Sequence, residues 1–253
     1  MFAGEHASLS ALHNAVPTLC PQSFGHGQLA DAPGKSFLVT DFLDLSAGRR
    51  GKTSGDSLAK KLAKLHTTPA PAGPDGKAMF GFPVTTCCGD TPQPNPFTPS
   101  WADFYANSRL RFIASQSSKS NGKDAELDSL VERTCTEVVP RLIGDKHLNN
   151  GKGVMPVVVH GDLWSGNASV GKLPGMSEAE ELVFDPSACY AHSEFELGIM
   201  KMCLSPFQPP LPKNPSITKS QVWRLRRQLS ERIPCPVPEN RASRGVRRPR
   251  GVV

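Results

Sequence analysis

The sequence predicts an α/β fold, and three observations carry that expectation. Apolar residues recur every three or four positions in several stretches, the period of a helix with one buried face. A β-branched run at 154–159 (VMPVVV) has the length and composition of a strand, and it ends in the densest polar cluster of the chain. The 253 residues are 38% hydrophobic, enough to build a core at this length. Other classes are excluded. There is no G-x-y period for collagen, prolines interrupt any coiled coil, and no window of about 18 apolar residues could span a bilayer. Residues 1–15 carry Glu5 and His6 early and lack an apolar central region, so no secretory signal is expected.

Residues 2–16 (FAGEHASLSALHNAV) place apolar side chains at 2, 9, 12 and 16, a helical stripe closed by Pro17. Pro33-Gly34 marks a turn before 36–43 (SFLVTDFL), which reads as a buried strand. The Gly- and Ser-rich stretch 46–55 reads as a loop. Asp56 can then cap a helix running to His66, with Leu58, Leu62 and Leu65 on one face. Residues 67–99, dense in Pro and Gly, read as a long surface connection. Two helices are expected next. One, 101–115, would put Trp101, Phe104, Tyr105, Phe112 and Ile113 on one broad face; the other, 124–143, would put Leu127, Val131, Cys135, Val138 and Leu142 on another. Between them, 115–123 reads as a polar, mobile loop. Residues 182–184 read as a short strand and 193–202 as a helix; there is no internal repeat.

The formal net charge of +6 is a property of the tail. Residues 205–253 hold eleven Lys and Arg against Glu231 and Glu239, whereas the rest of the chain is slightly acidic. Net charge is therefore no argument for nucleic-acid binding. The tail also lacks interleaved aromatics, so a disordered, solvated segment is expected, without a nucleic-acid partner. None of the seven cysteines forms a C-x-x-C pair, and they read as reduced thiols of a cytoplasmic protein. Adjacent Cys87 and Cys88 would chelate one zinc poorly, and read as a packed turn. The stretch 48–53 (GRRGKT) invites a phosphate-loop reading, but the motif requires Gly where Ser46 stands.

The informative segment is 160–167 (HGDLWSGN), followed by Phe184-Asp185-Pro186. Phosphoryl transfer from a magnesium nucleotide needs a carboxylate to orient the acceptor hydroxyl and take its proton. It also needs hard oxygen ligands for metal bridging the phosphates. A D-x-x-x-x-N loop after a strand supplies that carboxylate and an amide oxygen five residues on, and an aspartate ending the next strand completes the metal site. Asp162, Asn167 and Asp185 fit this pattern in order.

The wider strings resemble the fructosamine-3-kinase (ketosamine-3-kinase) family, related in fold to aminoglycoside and choline kinases. HGDLWSGN and VFDPSACYAHSEFELGIMKM are similar to that family's HGDLWxGN and FDPAxxYGHxExELAxxxMF; MFAGEHASL and FPVTTCCG are similar to its MFxGExxSL and TCCG segments. The likeness covers roughly residues 1–202. It implies an α/β protein-kinase-like fold of the aminoglycoside phosphotransferase type, and ATP-dependent phosphorylation of ketosamines at the sugar O3 in protein deglycation. The implied cofactors are ATP and Mg2+, and the implied partner is a glycated protein or a small ketosamine, with no membrane. By the same resemblance Asp162 would be the catalytic base, and Asn167 and Asp185 would hold magnesium. Glu5 would pair with a phosphate-binding lysine, Asp41-Phe42-Leu43 would be the adenine hinge, and Trp164, Tyr190, His192 and Glu194 would lie on the substrate side. For Tyr190 and His192 packing of the lobe is an equal alternative.

Two departures qualify the resemblance. In such kinases a Gly-rich loop and a strand lysine precede the glutamate helix, yet this sequence opens on that helix. After Met202 the expected aromatic-rich helices give way to CLSPFQPPLPKNP and an Arg/Pro tail, as in an incomplete gene model or a true variant. The expectation is an incomplete N-lobe at 1–45, an incomplete helical C-lobe with the catalytic loop at 46–204, and a disordered tail at 205–253. The alternative function is accordingly an impaired pseudokinase or sugar-binding fragment.

Overall fold

Helices and short strands alternate as expected of an α/β chain, but the strands pair two by two instead of forming one continuous sheet among the described residues. The structure, a computed structural model, describes residues 1–46 and 55–202. Most of the 46–55 loop, the 48–53 stretch and the tail lie outside the described residues.

Helix α1 (Phe2–Ala15) buries Leu9 and Leu12, and Val16 closes it by donating its N–H to the Leu12 carbonyl at 2.8 Å. The Ser8 hydroxyl, also buried, bonds Gly4 O at 2.7 Å and accepts the Ala188 N–H at 3.0 Å, which ties α1 to the second half of the chain. Strand β1 (Ser23–Gln28) was not visible in the sequence. Its SFGHGQ alternates glycine with exposed residues, so no apolar period marks it, and its order comes from antiparallel pairing with β2 (Ser36–Thr40). The second strand ends at Thr40, short of the expected Leu43.

Helix α2 (Leu58–Thr67) is capped by Ser57, whose hydroxyl accepts the Lys60 N–H at 3.3 Å, and not by Asp56. Asp56 instead pairs with Lys60 one turn on, at 2.5 Å. The expected face is present, with Leu58, Leu62 and Leu65 buried, and it carries Lys61 with it. A buried ammonium requires full satisfaction; Lys61 Nζ finds Thr18 O at 2.7 Å, Glu181 O at 2.9 Å and the Glu180 carboxylate at 2.8 Å.

The Pro/Gly-rich 67–99 stretch is more than a surface connection. It contains the hairpin β3 (Thr86–Cys88) and β4 (Thr91–Gln93), and it buries Phe80, Phe82 and Asn95. Turn-rich composition conceals such a segment because its strands are only three residues long.

The two helices after Ser100 differ from expectation in one consistent way. The first runs as α3 (Trp101–Tyr105), a π-helical turn (Ala106–Arg111) and α4 (Phe112–Asn121), so 115–121 is helix and not loop. The second runs as α5 (Ala125–Arg133), a π turn (Thr134–Val138) and α6 (Val139–Ile143), capped by Asp124. A π turn holds more residues than an α turn, so it rotates whatever follows. Cys135 is buried as expected, but next come Val139 and Ile143 facing inward, while Val138 and Leu142 are exposed. Likewise Trp101 and Phe104 are buried, whereas Ile113 beyond the first π turn is exposed.

Strands β5 (Val157–Val159) and β8 (Cys189–Ala191) pair antiparallel and are wholly buried; β6 (Ala168–Gly171) and β7 (Glu180–Val183) form a further hairpin. Helix α7 (Ser193–Met202) follows β8. One apolar cluster joins Leu9 and Leu12 of α1, Leu58, Leu62 and Leu65 of α2, and Val157–Val159, so the core runs across residue 45. Leu163, in the 160–167 loop, is anchored in that core.

Candidate active site

The loop 160–167 leaves β5 from the buried core, and its first residues are fixed from below. The Glu196 carboxylate, 1% exposed on α7, accepts the backbone N–H of His160 and, at 3.1 Å, that of Gly161. Gly161 has φ +81°, and a Cβ there would collide with the Ser187 carbonyl, so only glycine fits. The Ser187 N–H in turn donates to His160 O at 2.9 Å.

His160 is fully buried and links the two halves of the site. Its Nε2 lies 3.0 Å from the Phe184 carbonyl, an acceptor only, while its Nδ1 receives the Asp162 N–H at 3.3 Å. Both contacts are satisfied by one neutral tautomer with the proton on Nε2. Burial pushes the His160 pKa down, against the pull of Glu196, and keeps the ring neutral.

Asp162, Asn167 and Asp185 come together. The Asn167 side-chain amide donates to Asp162 O at 2.9 Å, Asp162 Oδ2 at 3.2 Å and Asp185 O at 3.3 Å. Asp185 follows β7 with φ +58° and is exposed. Burial raises the Asp162 carboxyl above its ordinary range and Asp185 adds to this, while Cys88, His160 and Asn167 oppose the rise. Glu5 of α1 also reaches this side; its pKa is raised by burial and by the Asp185 charge. No group of three or more His, Cys, Asp or Glu side chains among the described residues could hold a metal ion. The donor set that remains is Asn167 with Asp185. Since the Asn167 amide hydrogens are engaged, its Oδ1 is the atom left to ligate, a hard oxygen suited to magnesium.

The Asp41–Leu43 segment joins the β1–β2 hairpin to the β6–β7 hairpin. The Asp41 carboxylate accepts the Gln22 N–H at 3.0 Å, Leu43 packs on Gly171, and Asp44 bridges Lys172 through two backbone bonds of 3.0 Å. Phe42 is 80% exposed.

Of the four expected substrate-side residues, Trp164 is tied to Asp162, its N–H donating to the Asp162 carbonyl at 3.0 Å. Trp164 lies over Gly166. Tyr190 is buried in β8, with the Phe82 ring 5.1 Å away edge-on and Gly81 bonded to its backbone on both sides. His192 stacks near Trp101 and accepts the Glu194 N–H at 3.0 Å, capping α7; Glu194 is exposed. Tyr190 and His192 both lie beside aromatic rings of the fold. One residue without an expected role, Glu196, touches the 160–167 loop. Glu196 lies in the quoted E-x-E string, but its role depends on where α7 folds back.

Two solved structures share this architecture. One, described as a fructosamine-3-kinase from Thermobifida fusca, superposes with a TM-score of 0.59 at 22% identity, over 91% of this chain and 65% of that one. Another, from Haemophilus somnus, gives 0.57 at 22% identity, over 91% and 64%. The fold is therefore the kinase-like α/β fold. The sequence model of the fructosamine kinase family matches residues 1–214, and the chain belongs to that family. It is 32% identical over 202 residues to a protein of Synechocystis named as a ketoamine kinase, covering 80% of this chain but 59% of that relative. It is 31% identical over 254 residues to the mouse ketosamine-3-kinase, covering 89% and 75%, and 31% identical over 227 residues to the chloroplastic protein-ribulosamine 3-kinase of indica rice, covering 87% and 59%. The chain thus spans three fifths to three quarters of the length of these relatives. No helix among the described residues is long and apolar enough to cross a membrane.

Proposed function

We propose that the chain carries the catalytic half of a ketosamine 3-kinase: ATP-dependent phosphorylation of the O3 hydroxyl of fructosamine or ribulosamine adducts on protein lysines, in deglycation. The observation that carries this reading is the convergence of Asp162, Asn167 and Asp185 on one amide. Asp162 would accept the proton of the attacking hydroxyl, and its raised pKa makes it a better base than a solvated aspartate. Asn167 would fix that carboxylate and, with Asp185, hold the metal. Magnesium held by Asn167 and Asp185 would supply positive charge to offset that of the transferring phosphoryl group. The exposed Phe42 and neighbouring Leu43 would present their backbone to adenine, and Trp164 and Glu194 would face the sugar. Its free cysteines suit the reducing cytoplasm.

A second reading rests on Glu5. Among the described residues no lysine or arginine is paired with it in an ion pair, so its phosphate-gripping partner is not in view. A protein that binds the sugar with weak phosphotransfer is the corresponding alternative. The test is to incubate the full chain with fructosyl-lysine, labelled ATP and magnesium, and to locate phosphate by NMR. Label on O3 that disappears in Asp162→Asn is expected. ATP hydrolysis with no sugar phosphate would reject the kinase reading.

A further inference from the structure

The β6–β7 hairpin has the two proposed metal ligands at its root and the 41–45 segment at its far end. At the root Ala168 pairs with Val183, Asn167 immediately precedes β6, and the Asn167 carbonyl accepts the N–H of Phe184, the residue before Asp185, at 3.0 Å. Gly171 stands four residues past Asn167, opposite Glu180, a run of about 14 Å of strand. Here the 41–45 segment crosses the hairpin. Asp44 and Lys172 exchange backbone N–H···O bonds of 3.0 Å in both directions, and Gly171 beside them is buried. A Cβ on Gly171 would stand 2.8 Å from Leu43 Cδ1, 3.2 Å from Asp44 O and 3.2 Å from Leu45 Cδ2. Its φ lies outside the left-handed region, so the contact, and not the backbone conformation, is what calls for glycine. The other strand of the hairpin is tied down. Buried Lys61 Nζ reaches Glu181 O at 2.9 Å and the Glu180 carboxylate at 2.8 Å, the Glu181 carboxylate accepts the Leu58 N–H at 2.6 Å, and the Val183 N–H donates to Leu19 O at 2.9 Å. The 41–45 segment, with Phe42 and Leu45 exposed, is the party that would yield.

We propose that Gly171 is a positioning residue for the nucleotide: by letting the 41–45 segment lie directly on β6, it fixes the separation between the backbone that would meet adenine and the Asn167–Asp185 pair at the phosphate end. This rests on the kinase reading above and deepens it. A ligand gripped at both ends needs those ends at one separation, and a site already set to that separation loses least on binding. The hairpin serves as the spacer, rooted at the metal ligands and seated under the adenine segment. A side chain at 171 would push the adenine segment off its seat and leave the root of the hairpin in place. Nucleotide binding should therefore weaken while the arrangement of Asp162, Asn167 and Asp185 is kept.

Two measurements on the full chain test this. The first needs no activity: amide hydrogen exchange, read by peptide mass spectrometry, in the wild type, Gly171→Ala and Gly171→Val. The two bonds of the crossing protect the Asp44 and Lys172 amides, so peptides covering them should exchange faster in the alanine variant and about tenfold faster in the valine variant. Exchange in Gly171→Val equal to the wild type overturns the seat and the proposal with it. The second is kinetic, with fructosyl-lysine saturating and ATP varied. Gly171→Val should raise KM for ATP about tenfold with kcat within about twofold. Gly171→Ala should raise it less, because its nearest neighbour is the end of a leucine side chain that can turn away. Adding Leu43→Ala to Gly171→Val makes room for the new side chain and should recover part of the loss. An unchanged KM for ATP, a fall in kcat as large as the rise in KM, or a double variant no better than Gly171→Val overturns the positioning role. A wild type that phosphorylates no ketosamine counts against the kinase reading, and the calorimetric Kd for ATP then takes the place of KM. A wild type that does not bind ATP overturns both.

Discussion

Asn167 donates to Asp162 twice through one amide, to the backbone carbonyl at 2.9 Å and to Oδ2 at 3.2 Å, and the same nitrogen lies 3.3 Å from Asp185 O. The proposed base and the proposed metal ligands are therefore one mechanical unit. Moving any of the three moves the others.

Asp162→Asn keeps the size of the side chain and the backbone bonds that Asp162 makes, but it removes the proton acceptor. Sugar phosphorylation by the full chain should fall at least about 100-fold, the lower bound for general-base catalysis. Thermal denaturation should change little, because the side chain is half-buried and its neighbours can bond an amide. Near-wild-type turnover would take Asp162 out of the role.

Asp185 tests the metal separately from the base. Its φ of +58° is tolerated by asparagine better than by alanine, so Asp185→Asn is the cleaner variant. Magnesium should tighten nucleotide binding to the wild type and do so far less for the variant. A calorimetric titration showing the same magnesium dependence in both would exclude Asp185 as ligand.

Glu196 is predicted to act on stability before it acts on rate. Glu196→Ala leaves the His160 and Gly161 N–H groups buried without an acceptor, each costing about 1–3 kcal/mol. Glu196→Gln keeps one carbonyl oxygen and should lose about half as much. Urea midpoints that rank the two variants in the opposite order would contradict the account.

What the sequence disclosed follows from range. Asp162 and Asn167 are five residues apart, so their pairing is fixed by one loop and could be read from spacing. Asp185 required only that β7 lie beside that loop. The π turns were not legible, because one added residue leaves composition unchanged while it shifts the inward face from Val138 and Leu142 to Val139 and Ile143. The strands β1 and β8 escaped for different reasons: two of the three inner positions of β1 are glycine, and β8 is three residues long. The contacts of Glu196 with the 160–167 loop join residues distant in sequence, and nothing local announces them.

The buried, neutral His160 makes a prediction about pH. Its folded pKa is lowered from 6.5, chiefly by burial. Below 6.5 the unfolded chain therefore binds a proton that the folded chain refuses, and stability must fall as pH falls. The contribution is complete above 6.5 and is lost from there down toward the folded pKa. While the folded ring stays neutral the loss approaches about 1.4 kcal/mol for each pH unit. His192, also shifted down by burial, adds to it with the same sign. Protonating His160 would also break the Asp162 N–H bond to Nδ1, so the 160–167 loop should loosen along with the fold. Chemical denaturation at about pH 7.5 and about pH 5.5 should show a clear loss in the wild type and a smaller one in His160→Asn, whose amide does not titrate. Comparing slopes rather than absolute values matters here, since the variant also loses ring packing and starts from a lower stability. Equal pH dependence in the two proteins would mean that His160 is not held neutral by its burial.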